Sequence, residues 1–460
     1  MERANRGLRN MTEGSPAGHI FYFALPLLAG SFLQQLYNMV DSWVVGNYVG
    51  DGALAAVGVG FPVIFMFTSL FMGISNGGTV VISQYYGAGK LDRVRDAVDT
   101  IYTTFVISAI PVTVLALLLV KPLLLLMRVE DSAYHEAWVY LMIVCAGLIG
   151  TIGYNINAGI LNGIGNSRTT LLFLGVAAGM NIVLDLVLVL FAGMGVTGVA
   201  LGTIISQSFS WLFGLFYINR NYPQISIHPF CFRFDRTLFR QVLGIGLPAG
   251  LQMSLVSIGI ILVMSKVNTF GKAFTAGYNV GNKLDSMAFL VVQALTNAVT
   301  AYVGQNTGAN KPDRVRTGVR ITVTAAMGWS LLMMLLLLPF GKQLISLFSP
   351  SGTVVEAGYL YLKGIMPFYA LFSVFYVLNG AMRGAGNSVF PMMTSILSLI
   401  VLRVPMVYLL ANRFGPEYMY YGVGIGWIGG FLVCVTYYLS GRWKRASLAE
   451  EPRYSDKNKA

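Results

Sequence analysis

The side chains that could do chemistry here are a few carboxylates set in very apolar surroundings. All eight glutamates fall in loops, tails or the ends of apolar runs, and of eleven aspartates only Asp41, Asp185 and Asp285 lie well inside such runs. An ionised group in hydrocarbon is costly, so an acid retained there points to an ion or substrate pathway. By helical rise, Asp41 lies roughly 8 Å and Asp185 roughly 12 Å from the turns that follow them. Asn181 is one turn from Asp185, Asn38 is three residues and Gln34 two turns before Asp41, and Thr203 and Tyr140 reach comparable depths. Two carboxylates sharing a poorly hydrated pocket cannot both stay ionised cheaply. Such a pair binds a proton, or a Na⁺ ion whose shell is completed by amide and hydroxyl oxygens. The competing reading is a purely structural hydrogen-bonded cluster.

Other polar positions carry less. Lys283 and Asp285 are two residues apart, off a common helix face, and with Arg403 form a candidate polar site whose simplest role is to hold its own half together. His19, His135 and His228 are isolated, and Cys145, Cys231 and Cys434 show no metal or disulfide spacing. No cofactor is expected beyond a coupling ion, H⁺ or Na⁺, and no nucleophile–base set marks an enzyme. Gly424-Ile-Gly426-Trp-Ile-Gly429 satisfies a dinucleotide pattern literally but sits inside an apolar run with no strand before it. It reads as helix packing.

The elements that hold these groups must be membrane helices. The chain is 55% hydrophobic and 11% charged over 460 residues, far below the charge a soluble surface carries. Continuous apolar runs about twenty residues long fit helices, whereas a barrel would show short alternating segments. Twelve spans are expected, at 17–45, 53–84, 99–120, 134–161, 169–191, 196–219, 239–265, 273–306, 317–339, 355–381, 388–411 and 420–441. The net charge of +12 is then a topology signal and not a nucleic-acid footprint. With a cytoplasmic N-terminus, about threefold more Lys and Arg fall on the inner than on the outer side, which puts both termini in the cytoplasm.

The chain also repeats itself. Gln84-Tyr-Tyr-Gly87-Ala-Gly-Lys90-Leu-Asp92-Arg93-Val-Arg95 returns as Gln305-Asn-Thr-Gly308-Ala-Asn-Lys311-Pro-Asp313-Arg314-Val-Arg316, and Gly163-Ile-Gly165-Asn166-Ser167 returns as Gly384-Ala-Gly386-Asn387-Ser388 at the same offset. Pro26 and Pro248 sit in matching first helices and are expected to kink them, with Pro26 the hinge. Six helices per repeat is an even number, so the halves are parallel and related by a pseudo-two-fold along the membrane normal. The expected fold is an all-α membrane protein of two six-helix lobes. Residues 1–219 form the N-terminal lobe with the cation site, 220–238 a cytoplasmic linker, 239–441 the C-terminal lobe and 442–460 a basic cytoplasmic tail.

Taken together, Pro26, Gln34 and Asp41 in the first span, the paired Gln-(x)₂-Gly-(x)₂-Lys loops and the Gly-(x)-Gly-Asn-Ser turns resemble the multidrug and toxic compound extrusion (MATE) family over essentially the whole chain, and within it the DinF-like branch. The resemblance implies a cation site in the N-terminal lobe at Gln34, Asp41, Tyr140, Asn157, Asn181, Asp185 and Thr203. Other branches carry an acid in the seventh span, but Leu247–Met264 has none. The implied activity is antiport at the plasma or inner membrane, exporting amphipathic, often cationic compounds in exchange for H⁺ or Na⁺, with a monomer as the expected unit. The alternative is a flippase for lipid-linked oligosaccharides, which should line its cavity with several cations; only Lys283, Arg383 and Arg403 qualify.

Overall fold

The computed structural model describes residues 9–127, 129, 131–228, 232–444, 448 and 449, without the side chains of 51, 54, 55 and 131–133. Cys231, the basic residues at 3, 6, 128, 445, 453, 457 and 459, and most of the 442–460 tail lie outside the described residues. The described chain is helical throughout. In the N-terminal half, α1 spans Pro16–Tyr48, α2 Asp51–Gly87, α3 Leu91–Leu126, α4 Asp131–Ala146 with Leu148–Gly163, α5 Ser167–Phe191 and α6 Gly195–Asn221. In the C-terminal half, α7 spans Arg236–Asn268, α8 Lys272–Gly308, α9 Pro312–Ser346, α10 Gly352–Gly384, α11 Val389–Phe414 and α12 Pro416–Leu439. Among the described residues eleven helices are long and apolar enough to cross a membrane, and the bent α4 makes twelve. The expected spans are all present.

Several helices outrun their apolar windows, α3 starting at Leu91 instead of 99 and α9 covering Pro312–Ser346 instead of 317–339. Hydropathy marks only the hydrocarbon part, while backbone hydrogen bonding carries the helix on through amphipathic ends such as Leu91–Val98. The fourth span is not one rod, because its two segments meet at 49°. The break falls at Gly147, where a Cβ would come within 2.4 Å of Ile204 on α6, so the missing side chain lets the two helices touch at the bend. α5 and α11 each contain a π-helical stretch, Leu186–Phe191 and Leu397–Arg403. No residue type announces such a stretch. α1 continues through Pro26 and α7 through Pro248 as single helices.

The two lobes touch closely along α2 and α7. Cβ atoms at Gly73 and Gly77 would lie 2.4 Å from Gly250 N and Val242 O, so this seam is backbone against backbone. Ser69 and Ser254 hydrogen-bond across it at 2.9 Å.

Candidate functional site

α1 and α5 run side by side in the N-terminal lobe and bring Asp41 and Asp185 close enough for their carboxyl groups to interact. Asp185 is fully buried and is the last residue before the π-helical stretch of α5. Asn181, one turn earlier, donates to Asp185 Oδ1 at 3.4 Å. The carboxylate has space only because α6 carries a glycine opposite it, where a Cβ at Gly202 would sit 2.2 Å from Asp185 Oδ1. Three buried oxygens around the pair have no hydrogen-bond partner: Asp41 Oδ1, Asp185 Oδ2 and Asn181 Oδ1. Unpaired buried acceptors are expensive. Two facing carboxyl groups plus an amide oxygen form a donor set that is all oxygen, suited to one shared proton or to a hard cation such as Na⁺.

The remaining expected residues divide. Tyr140 is buried beside the pair, its ring seated against Gly60, where a Cβ would come within 2.7 Å. Gln34 lies near Tyr37, a neighbour of Asp41 on α1 that the sequence alone did not single out although it lies one turn away. Thr203 adjoins Gly202, but its hydroxyl donates to Val199 O of its own helix at 3.0 Å. Asn157 stands apart from the carboxyls: it accepts from Tyr102 and donates to Trp211 O at 3.0 Å, a bridge among α3, α4 and α6. Tyr102, Trp211 and Gly202 were missed because nothing along the chain links them to the acids.

The C-terminal lobe is built differently. Counting as far past Pro248 as Asp41 lies past Pro26 reaches Val263, which is fully buried. Asp285 on α8 instead accepts from Tyr361 at 2.9 Å, and Tyr361 also receives Asn282 at 3.3 Å. Tyr361 is the repeat counterpart of Tyr140, and its ring lies against Gly281 as that of Tyr140 lies against Gly60. Arg403 acts on Asp285 electrostatically without an ion pair within 4 Å, and its Nε is a buried donor without a partner. Lys283 points elsewhere, over Phe348 at 5.7 Å. Deeper in the lobe, Arg383 donates to Gln252 Oε1 at 2.9 Å and Gln252 donates to Ser395 Oγ at 2.7 Å. The first lobe brings Asp41 and Asp185 together, whereas the second holds Asp285 with Arg403 and Arg383.

The repeated loop motif has a structural purpose that the repeat alone did not disclose. At the end of the molecule where Met11 and Leu448 lie, α2 and α8 cross at Gly87 and Gly308, whose Cβ positions would fall under 2 Å from Gln305 O and Gln84 O. Gln84 donates to Gly384 O of the other lobe at 3.0 Å and accepts from Leu448 N at 3.0 Å. Gln305 mirrors it, donating to Gly163 O at 3.3 Å and accepting from Met11 N at 2.8 Å. Lys90 donates to Ala449 O at 2.7 Å and Lys311 to Thr12 O at 3.0 Å. Tyr85 donates to Leu448 O and Asn306 to Met11 O. The segments around Met11 and Leu448 are thus held by the motif of the opposite lobe, which ties the two lobes together at this end.

Fold and site together define a multi-pass helical membrane protein of two duplicated lobes with an ionisable centre in the first. The MatE family profile matches residues 26–187 and 248–409, segments of equal length that begin at the two matching prolines. A probable multidrug resistance protein, YpnP of Bacillus subtilis (strain 168), is 30% identical over 442 residues, 96% of this chain and 99% of that protein. YoeA of the same strain, also named a probable multidrug resistance protein, is 28% identical, covering 93% of this chain and 94% of its own. The solved structure of a MOP superfamily transporter from Pyrococcus furiosus Vc1 superposes with a TM-score of 0.89 at 22% identity, covering 96% of this chain and 99% of that one, a likeness of fold. The chain belongs to the MatE family.

Proposed function

We propose that this protein is a secondary antiporter that exports amphipathic, often cationic compounds in exchange for H⁺ or Na⁺ taken up at Asp41 and Asp185. The observation that carries the reading is the pair of facing carboxyl groups with three unpaired buried oxygens around it. An ion arriving from outside neutralises the pair. That changes the hydrogen bonding along α1, whose proline at 26 leaves one main-chain carbonyl without its helical partner and so makes bending cheap there. Bending narrows the N-terminal lobe and expels the bound compound. Release of the ion to the other side restores affinity. Rocking of one lobe against the other about the glycine seam of α2 and α7 supplies alternating access.

The names of the curated relatives support drug export. The bias of Lys and Arg supports cytoplasmic termini in a plasma or inner membrane, which makes the closed, terminus-bearing end the cytoplasmic gate and this state outward-facing. The lobe boundaries at 219 and 239, the cation site confined to the first lobe and the DinF-like placement follow from the same reading, with Val263 in the seventh span where other branches hold an acid. The role of Asn157 is then to brace α4, not to ligate. A lipid-linked oligosaccharide flippase is disfavoured because Arg383, Arg403 and Lys283 point into separate surroundings and do not converge on one pyrophosphate-sized space.

The test is uptake of a fluorescent cationic dye into proteoliposomes under separately imposed pH and sodium gradients. Wild type should respond to one gradient, while Asp41→Asn and Asp185→Asn, still folded, should lose gradient-driven transport by at least about tenfold, the scale set by losing one charge-assisted interaction. Normal gradient response in both variants refutes the assignment.

A further inference from the structure

A groove of about 510 Å³ lies on the flank of the C-terminal lobe between α9, α10 and α12, far in sequence from the carboxylate pair. Its α9 wall is Arg316, Val319, Arg320, Val323 and Thr324, spaced as one helical face. That face starts cationic and turns apolar within about 12 Å of helical rise. Val374 and Leu378 of α10 form a buried apolar floor. The chain after α12 closes the cationic end. Gly441, at φ +71, turns it back, so that Trp443 is buried, stacks on Tyr438 at 4.9 Å and donates to Tyr438 O at 2.8 Å. Lys444 then lies beside Arg316 and Arg320 on the groove. Leu439, 76% exposed, leaves the apolar part open sideways to the bilayer.

We propose that this groove is a binding site for an anionic glycerophospholipid of the leaflet at the terminus-bearing end. Three cations meet at one end of an apolar channel, at the level where an aromatic pair marks the membrane interface. Arg320 and Lys444 have no ion pair among the described residues, and the contact of Arg316 with Asp313, 3.4 Å between exposed side chains, is weak. A phosphate supplies the missing negative charge, and an acyl chain fits the valine-lined trough below it. A neutral lipid would fill the trough and leave the cations unmatched. The site does not depend on the antiport reading.

The experiment uses the full chain purified in a neutral detergent, with thermal unfolding followed while phosphatidylglycerol or phosphatidylcholine of identical acyl chains is titrated. Phosphatidylglycerol should raise the unfolding temperature saturably and phosphatidylcholine should not. Each cation near an anionic headgroup is worth about fivefold in affinity. Arg320→Gln with Lys444→Gln should therefore weaken the phosphatidylglycerol effect about 25-fold by the same scale, while Lys272→Gln with Lys363→Gln, two exposed cations outside the groove, should leave it unchanged. Val323→Phe fills the trough and keeps the cations, so it too should weaken binding. Equal response to both lipids, full affinity in Arg320→Gln with Lys444→Gln, or full affinity in Val323→Phe would each overturn the site.

Discussion

The gate formed by the repeated loops can be weakened at one side chain. Gln305→Leu keeps the volume and removes the acceptor for Met11 N at 2.8 Å and the donor to Gly163 O at 3.3 Å. A protein hydrogen bond contributes about 0.5–1.5 kcal/mol net, so losing two should destabilise the closed end by about 1–3 kcal/mol. That moves the balance between closed and open forms by roughly 5- to 150-fold. The mutation acts only if the other state lacks these bonds, as rocking of the lobes requires. Spin labels attached through Asp92→Cys and Asp313→Cys, exposed counterparts on the two lobes, would report their separation by pulsed dipolar spectroscopy. The distribution should gain a longer-distance population in Gln305→Leu, and to a similar extent in its mirror Gln84→Leu. Gln343→Leu, at the far end of α9, should change nothing. If both glutamine variants keep the parent distribution, the gate is held by other contacts and the reasoning fails.

Two further outcomes follow from geometry. Gly202→Ala places a methyl group where Asp185 Oδ1 now lies 2.2 Å from the built Cβ, so the carboxylate must move; gradient-driven uptake should fall about tenfold or more with little loss of folded protein, and unchanged ion dependence would show that the position of Asp185 is not critical. Asp235 caps α7 through Thr237 N at 2.7 Å and Leu238 N at 3.1 Å and meets Arg93 at 2.9 Å. Although burial works the other way, these donors together hold its carboxyl below the ordinary carboxylate range. Its contribution is therefore complete above about pH 4 and is lost as pH falls through the depressed value. Asp235→Ala should cost about 0.5–2 kcal/mol near neutral pH, and unfolding temperatures of variant and parent should converge in acid.

Much of this architecture could be read before any coordinates. Twelve apolar runs, two recurrent motifs and a pair of matching prolines sufficed for the two-lobed helical fold, because hydrocarbon thickness and hydrogen-bond satisfaction leave a membrane chain few options. Asp41 and Asp185 stood out because acids are so rare inside spans, and Asn181 because it lies one turn from Asp185. What escaped was whatever depends on a partner far along the chain. Gly202 is one of 52 glycines until α6 is laid against α5, and the bonds of Asn157 to Tyr102 and Trp211 show only in the fold. The break at Gly147 and the π-helical stretches arise from packing, not from local propensity. Lys283 and Asp285 were correctly kept apart, since a two-residue spacing turns them to different faces, but the tyrosine shell of Asp285 needed the fold.

The crosswise hold on the terminal segments has a consequence for how the protein is made. Met11 waits on Gln305, inside the second repeat, and Gln84 waits on Leu448, beyond its end, so the two halves of the latch form in order and the Leu448 half only after the second repeat is made. The first lobe therefore stands in the bilayer unfastened until α8 has emerged, and Gln84 stays without its partner until Leu448 follows. Deletions that reach Met11 or Leu448 should therefore yield chains that insert normally yet never lock.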